Sequence, residues 1–125
     1  MKTKRGHRVP LSGRAREILA KARQIGSPTD LVFPSPAGRL LSDRDLSVLL
    51  RELGIAAVPH GFRSSFRDWA AESTDAPHAV MEAALSHVVR NQVEAAYARS
   101  DLFERRRILM EQWAEFLGRE PEATL

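Results

Sequence analysis

The chain lacks cysteine, has a single tyrosine and contains no long apolar run. Without cysteine, neither a disulfide framework nor a metal site built on thiolates can form. A membrane-spanning helix needs about 20 consecutive apolar residues, and no stretch approaches that length. The first residues show no signal-peptide pattern. These absences predict a cytoplasmic protein with no membrane partner.

The 125 residues, 43% hydrophobic and 28% charged, suit one compact globular domain. The formal net charge is only +3, but arginine outnumbers lysine sixteen to three among the 19 basic residues. A guanidinium is a planar fork of donors that matches phosphate oxygens, which favours a nucleic-acid partner. A GC-rich genome would produce the same excess, so composition alone leaves both interpretations open.

The first part of the chain predicts a strand followed by a helix. Residues 7–11 are extended because Pro10 excludes a helix interior, and they are typical of a hairpin strand whose partner precedes the chain. Ser12 is a good N-cap for a helix that ends at about Ile25, where Gly26 supplies a left-handed stop. The apolar stripe of this helix consists of Ala15, Ile18, Leu19, Ala22 and Ile25.

The segment SPTDLVFPSPAGRLLS is rich in proline and predicts extended structure around a turn. We expect a short strand at 31–33, a turn at 34–38 and an extended return at 39–41. These pieces form the small β element of a chain that is otherwise mainly α.

Helical periodicity dominates the remainder of the sequence. A second helix is expected from Ser42, with Asp45 completing its cap, to about residue 53. A third begins near Pro59, a fourth near Pro77 as an N1-type proline, and a last long helix follows Ser100 as its cap. A short helical stretch is also expected at 91–99. The expected core side chains are Phe62, Phe66 and Trp69 in the third helix, Val80, Met81, Ala84 and Leu85 in the fourth, and Leu102, Ile108, Leu109, Trp113, Phe116 and Leu117 in the last.

The sequence HGFR places His60 and Arg63 one helical turn apart, with Arg67 a turn further along the same row. Such a pair suits an anionic phosphoryl centre, where arginine forks two oxygens and histidine donates a hydrogen bond or moves a proton. A helix-start histidine beside a solvated arginine would give the same short motif. No H-E-x-x-H and no clustered carboxylates support a metal site, so none is expected.

Two further residues, His87 and Tyr97, are each more often structural than chemical when considered alone. The chain has no G-x-S-x-G elbow and no phosphate-binding glycine-rich loop, which excludes a serine nucleophile of that type and argues against nucleotide hydrolysis. The informative feature is the order: a lysine in a basic segment, H-x-x-R, L-S-H, and a tyrosine ten residues after the second histidine.

The segments MKTKRGHRVPLS, LVFPS, HGFRSSFRDWAAE, AALSH and NQVEAAYARSDLFERRRILMEQWAEFL together resemble the catalytic domain of tyrosine recombinases, the phage-integrase family. The resemblance is greatest to the integrases of satellite prophages and genomic islands. It covers residues 1–117, which leaves 118–125 as a flexible tail. It implies the DNA breaking-rejoining fold, mainly α with a small β-hairpin, and site-specific recombination of duplex DNA at attachment sites by a tetramer, without cofactors.

The resemblance also implies roles for individual residues. Tyr97 is the nucleophile, Arg63 the second of two phosphate-clamping arginines, His60 and His87 the active-site histidines, and Lys2 the general acid, with Lys4 as the rival assignment. Further DNA contacts are expected from Lys4, Arg5, Arg67 and Arg90. The run at 105–107 is interpreted as the solvated face of the last helix, with a DNA-backbone contact as the alternative.

One departure from the family pattern affects the expected activity. The first catalytic arginine of the family lies upstream of the hairpin, and nothing in these 125 residues corresponds to it. Ser86 also stands where the family often has glycine or alanine, a change expected to be tolerated. The chain is therefore expected to be the C-terminal part of a longer integrase, inactive or very slow by itself. The alternative is a non-catalytic remnant that binds DNA or a protein partner.

Overall fold

The computed structural model describes residues 7–26, 29–86 and 101–119. Five helices occupy these ranges, and no strand is present within them. The structure is therefore mainly α, as predicted, while the small β element is not observed in the described part. The helices are α1 (Gly13–Ile25), α2 (Asp43–Glu52), α3 (Gly61–Ser73), α4 (His78–Ala84) and α5 (Phe103–Leu117).

Helix α1 begins and ends where the sequence predicts. The hydroxyl of Ser12 accepts a hydrogen bond from the Ala15 amide at 3.1 Å, which satisfies one of the orphan donors of the first turn. Gly26 ends the helix with φ of 79°, in the left-handed region that glycine adopts without a Cβ clash. The predicted apolar stripe is only partly right, because no residue of α1 is buried and Ile25 is 86% exposed.

The predicted strand at 31–33 is wrong, and the one at 7–11, whose predicted partner precedes the chain, is not observed in the described residues. A strand needs a neighbour to bond its backbone groups, and no backbone ladder supplies one within the described ranges. The turn at 34–38 is confirmed: the Ser35 amide donates to the Arg39 carbonyl at 2.8 Å, and the Gly38 amide donates to the Ser35 carbonyl at 2.8 Å. The proline-rich composition of this segment predicts the turn at 34–38 correctly, but it does not predict the structure of the residues on either side of the turn.

Helix α2 starts with a complete capping box. The Asp45 amide donates to the Ser42 hydroxyl at 3.2 Å, and the Asp45 carboxylate accepts from the Ser42 amide at 2.8 Å. Backbone hydrogen bonding to Ser42 is the main reason that the pKa of Asp45 lies below its ordinary value. The helix ends one residue earlier than predicted, and Gly54 follows with φ of 74°.

The core lies where α3, α4 and α5 meet. Its buried members are Phe66 and Ala70 from α3, Val80 and Met81 from α4, Leu85 just after α4, and Leu109 from α5. Trp69 and Trp113 pack beside them, with ring centroids 5.0 Å apart, and half-buried Ala84 joins them. Phe62 does not belong to this core, contrary to prediction, because it is 54% exposed at the start of α3.

The starts of α4 and α5 differ from the sequence prediction. Pro77 occupies the N-cap of α4, one position before the expected N1 site. Helix α5 has Leu102 rather than Ser100 at its N-cap, and the Asp101 carboxylate accepts from the Phe103 amide at 3.3 Å. The carboxylate thus does what the sequence predicts for a capping serine.

The inward row of α5 differs from the predicted one at several positions. Ile108, Phe116 and Leu117 are exposed. The fully buried positions of the helix are Arg106 and Leu109, so an arginine occupies a turn where aliphatic side chains are expected. The predicted helix at 91–99 lies outside the described residues.

Candidate functional site

The H-x-x-R motif lies at the start of α3, as predicted. His60 is the N-cap residue, and the Arg63 amide donates to the His60 carbonyl at 3.2 Å, so the two residues stand one turn apart. Both residues are exposed at the surface. An exposed imidazole and guanidinium on one helical turn are accessible to an anionic group from solvent.

Arg63 reaches from α3 to the end of α4. Its guanidinium donates to the carbonyl of Leu85, which is the first residue of the L-S-H motif. Leu85 is anchored in the core, and Ser86 follows with φ of 58°, a left-handed conformation that is uncommon outside glycine. The structure therefore brings the H-x-x-R motif to the beginning of L-S-H across 22 residues of sequence.

Arg67, one turn after Arg63, forms an ion pair with Glu82 of α4. The guanidinium and carboxylate are 3.1 Å apart, and the ring of His78 approaches the same carboxylate oxygen at 3.5 Å. Glu82 is only 8% exposed, whereas the Arg67 side chain is about half exposed. Sequence reasoning missed Glu82; the available signal was an acidic residue inside the apolar helix HAVMEAAL, one turn after a histidine.

Arg106 is the largest fully buried side chain in the described residues, being 1% exposed. The interpretation of 105–107 as a solvated face is therefore wrong for its middle residue, although it holds for Arg105 and Arg107. Helical phasing could have shown this, because position 106 lies four residues after Leu102 and three before Leu109. Burial is the main cause that lowers the pKa of Arg106, and attraction to Asp101 opposes the shift.

Arg106 and Asp101 bind the segment that precedes α1. The Arg106 guanidinium donates to the carbonyls of Arg8 and, at 3.3 Å, of Asp101, and it lies 3.4 Å from the ring nitrogen Nε2 of His7. The Asp101 carboxylate accepts two hydrogen bonds from the Arg8 guanidinium, at 2.9 and 2.7 Å. The hydrogen bond from Arg8 is the main reason that the pKa of Asp101 is lowered.

Six of the nine predicted site residues lie outside the described ranges. Of the set, the structure describes His60, Arg63 and Arg67, and it places all three at or within α3. The predictions that fall outside concern Tyr97, His87, Arg90, Lys2, Lys4 and Arg5.

Within residues 7–26, 29–86 and 101–119, no group of three or more metal-ligating side chains occurs. Over the same ranges, no helix combines the length and apolarity that crossing a membrane requires.

The chain is similar over nearly its whole length to curated phage and prophage proteins. It is 36% identical over 121 residues to Prophage integrase IntA of Escherichia coli K12, a match that covers 94% of this chain and 29% of that protein. It is 36% identical over 124 residues to Integrase of Enterobacteria phage P4, covering 94% of this chain and 28% of the relative. Putative protein IntB of Escherichia coli K12 is 32% identical over 118 residues, with 89% and 30% covered.

The chain thus spans less than a third of the length of these relatives. No protein-family profile matches it, and no solved structure does. Two of these relatives are named integrases. What the comparisons support is an integrase relationship for this chain, as its motifs predict.

Proposed function

We propose that this chain is part of a site-specific DNA recombinase of the tyrosine type. In this proposal Tyr97 attacks a DNA phosphodiester and forms a 3′-phosphotyrosyl link. The observation that carries it is the hydrogen bond from the Arg63 guanidinium to the Leu85 carbonyl, because it joins the H-x-x-R and L-S-H motifs in space. The similarity to proteins named integrases supports the same conclusion.

The chemistry requires groups of the types found in these motifs. A phenol has a pKa near 10, so attack at neutral pH needs a base for its proton and a strongly electrophilic phosphorus. Negative charge develops on the non-bridging oxygens, and a guanidinium directed at such oxygens contributes roughly 10³–10⁵ in rate in other phosphoryl transfers. Arg63 would supply that charge, with His60 and His87 as hydrogen-bond donors or as the base.

The step balances without metal or ATP. The bond from phosphorus to the Tyr97 oxygen forms as the bond from phosphorus to the DNA 5′-oxygen breaks. The phenolic proton passes to the base, and Lys2 or its rival Lys4 protonates the leaving 5′-oxygen. The phosphotyrosyl ester conserves the bond energy, so a 5′-hydroxyl from a second duplex can displace the tyrosine and complete strand exchange.

The proposed partner is double-stranded DNA at attachment sites, bound by a tetramer of the full-length protein in the cytoplasm. Arg67, together with Lys4, Arg5 and Arg90, would contact backbone phosphates. A guanidinium has five N–H donors, so the ion pair between Arg67 and Glu82 leaves donors for a phosphate on the exposed side.

The test is covalent trapping on a nicked duplex by a recombinase in which these 125 residues replace the matched part of phage P4 integrase. The wild-type segment is expected to give a DNA-linked protein band that survives denaturation. Tyr97→Phe keeps the ring and removes only the nucleophilic oxygen, so it should give no such band. An adduct formed by Tyr97→Phe would show that the nucleophile is another residue.

A non-catalytic DNA-binding module is the second candidate, favoured by the excess of arginine over lysine, sixteen to three, because guanidinium groups match phosphate oxygens. Binding alone would weaken as salt rises and leave no covalent product. A DNA-linked band formed by the wild-type segment and absent from Tyr97→Phe would contradict the binding module.

A further inference from the structure

Arg106 has no role in the proposed chemistry, yet it is the most buried charged side chain of the described residues. Burial of a guanidinium is unfavourable unless its donors are used and its charge is offset. An aliphatic residue would fill the same inward position of α5 without the desolvation penalty of a buried charge. The hydrogen bonds that this arginine makes are therefore the feature that needs explanation.

Those bonds join two parts of the chain that are far apart in sequence. The Arg106 guanidinium binds the Arg8 carbonyl and lies beside the His7 ring, while the Arg8 side chain binds Asp101. The Arg8 guanidinium also stacks 4.5 Å from the centroid of the Phe103 ring. We name the group formed by His7, Arg8, Asp101 and Arg106 the clasp.

The clasp lies next in sequence to the segments that carry the proposed nucleophile and general acid. Lys4 comes three residues before His7, and Tyr97 comes four residues before Asp101. An extended chain covers at most about 3.6 Å per residue, so these tethers reach about 11 and 14 Å from the clasp. Lys2 has a tether of five residues, which reaches about 18 Å.

We infer that Arg106 is a positioning residue that holds the lysine segment and the Tyr97 segment together, so that proton donation meets the leaving oxygen as the phenol attacks. This inference rests on the proposed function. In this proposal the buried Arg106 does not itself bind DNA or the reacting atoms. It acts through the backbone of Arg8 and Asp101, which its guanidinium binds.

Charge alone does not explain why position 106 is arginine. A guanidinium presents five donors in a rigid plane and can bind two carbonyls and a ring nitrogen at once, whereas an ammonium is a compact point charge. Arg106→Lys should therefore weaken the clasp although it keeps the positive charge. Arg105→Lys, at the exposed neighbouring position, is the matched control.

The experiment compares two nicked duplexes as substrates of the P4 integrase chimera. One has the ordinary oxygen at the scissile 5′ position, and the other has sulfur in its place. A thiol has a pKa near 8.5, so a thiolate departs without a proton and the step no longer needs a general acid. On the sulfur substrate, attack by Tyr97 forms the phosphotyrosyl ester and breaks the phosphorus–sulfur bond, and the thiolate leaves with the electron pair.

On the oxygen substrate, Arg106→Lys and Arg106→Met should slow adduct formation by about 10²-fold or more, the usual contribution of a general acid. On the sulfur substrate, both variants should come within about tenfold of wild type. Arg105→Lys should match wild type on both substrates. Asp101→Asn removes the carboxylate charge at an exposed position of the clasp, so it should show the same pattern with a smaller loss.

Circular dichroism and thermal melting establish which variants are folded before rates are compared, and Asp101→Asn provides the test if both Arg106 variants unfold. Equal defects on the oxygen and sulfur substrates, or no defect on oxygen in a folded variant, would overturn the inference. If wild type forms no adduct on either substrate, the proposed function itself fails. If wild type forms adduct and Tyr97→Phe forms none, only the role of Arg106 is at issue.

Discussion

The helices before residue 60 and those after it are stabilised differently. Helices α1 and α2 contain no buried residue, although each begins with a serine cap whose hydroxyl accepts a backbone hydrogen bond. The N-cap residues of α3, α4 and α5 make no side-chain cap bond, yet these helices provide the buried core. The first pair thus depends on local signals, and the second group depends on packing.

The difference matters for function because the described site residues belong to the packed group. His60, Arg63 and Arg67 lie at or within α3, and Arg63 is bound to the end of α4. Packing therefore fixes the positions from which the proposed phosphate-binding groups extend. Substitutions in α1 or α2 should have little effect on the positions of the site residues, unless they disturb the contact of α1 with α5 at Gly13 and Glu111.

The largest expected effect follows from removing a core side chain of α5, one of the packed helices. Leu109→Ala removes a side chain that is 2% exposed and should lower the free energy of unfolding by about 3 kcal/mol. Leu49→Ala in α2, at 48% exposure, should cost less than about 1 kcal/mol. Urea denaturation of the two variants measures the contrast, and equal losses would show that the two groups of helices do not differ in this way.

A smaller effect is expected at the ion pair that joins α3 to α4. Glu82→Gln keeps the side-chain shape and removes the charge that Arg67 and His78 approach, so it should cost about 1–2 kcal/mol. Glu17→Gln, which breaks an exposed pair with Arg14 in α1, should change stability by about 0.5 kcal/mol at most. Thermal melting of both variants at neutral pH tests the comparison, and the reverse order of losses would contradict it.

The smallest expected effect concerns the capping box at the start of α2. Ser42→Ala should cost about 1 kcal/mol and move the pKa of Asp45 part of the way back toward its ordinary value, because the hydroxyl donor is lost while the backbone donor remains. Because the folded pKa of Asp45 is below the unfolded one, its stabilising contribution is present above about pH 4 and is lost as the pH falls through the lowered value. Titration of the Asp45 carboxyl by NMR measures the shift. An unchanged Asp45 titration curve in Ser42→Ala would show that the Ser42 hydroxyl does not contribute to the lowered pKa.

Local sequence signals predict the helices well because their causes are local. The serine caps of α1 and α2 and the glycines that follow both helices are visible in the sequence and confirmed in the structure. The predicted strand at 31–33 is wrong, and the one at 7–11 is not observed in the described residues, because a strand depends on a partner that local sequence cannot supply. The prediction that Phe62 is a core residue is wrong. Its spacing is helical, but the core does not extend to the first turn of α3, so the ring is exposed.

Tertiary polar contacts lie beyond sequence reasoning. The H-x-x-R and L-S-H motifs are recognisable in the sequence, but the bond from Arg63 to the Leu85 carbonyl depends on how α3 crosses α4. The ion pair of Arg67 with Glu82 depends on the same crossing. Helical phasing places Arg106 on the inward row of α5 but does not identify its partners, two of which lie more than 90 positions away in the chain.

Helix α2 and its C-terminal end expose three leucines, Leu46, Leu49 and Leu53. Their exposure affects how the isolated chain behaves in solution. With a net charge of +3, copies repel one another only weakly, and the screening length falls to about 8 Å at 0.15 M salt. We expect added salt to promote self-association through these side chains while it weakens the proposed binding to DNA. If that proposal holds, one salt titration should show clustering of the chain together with release of nucleic acid.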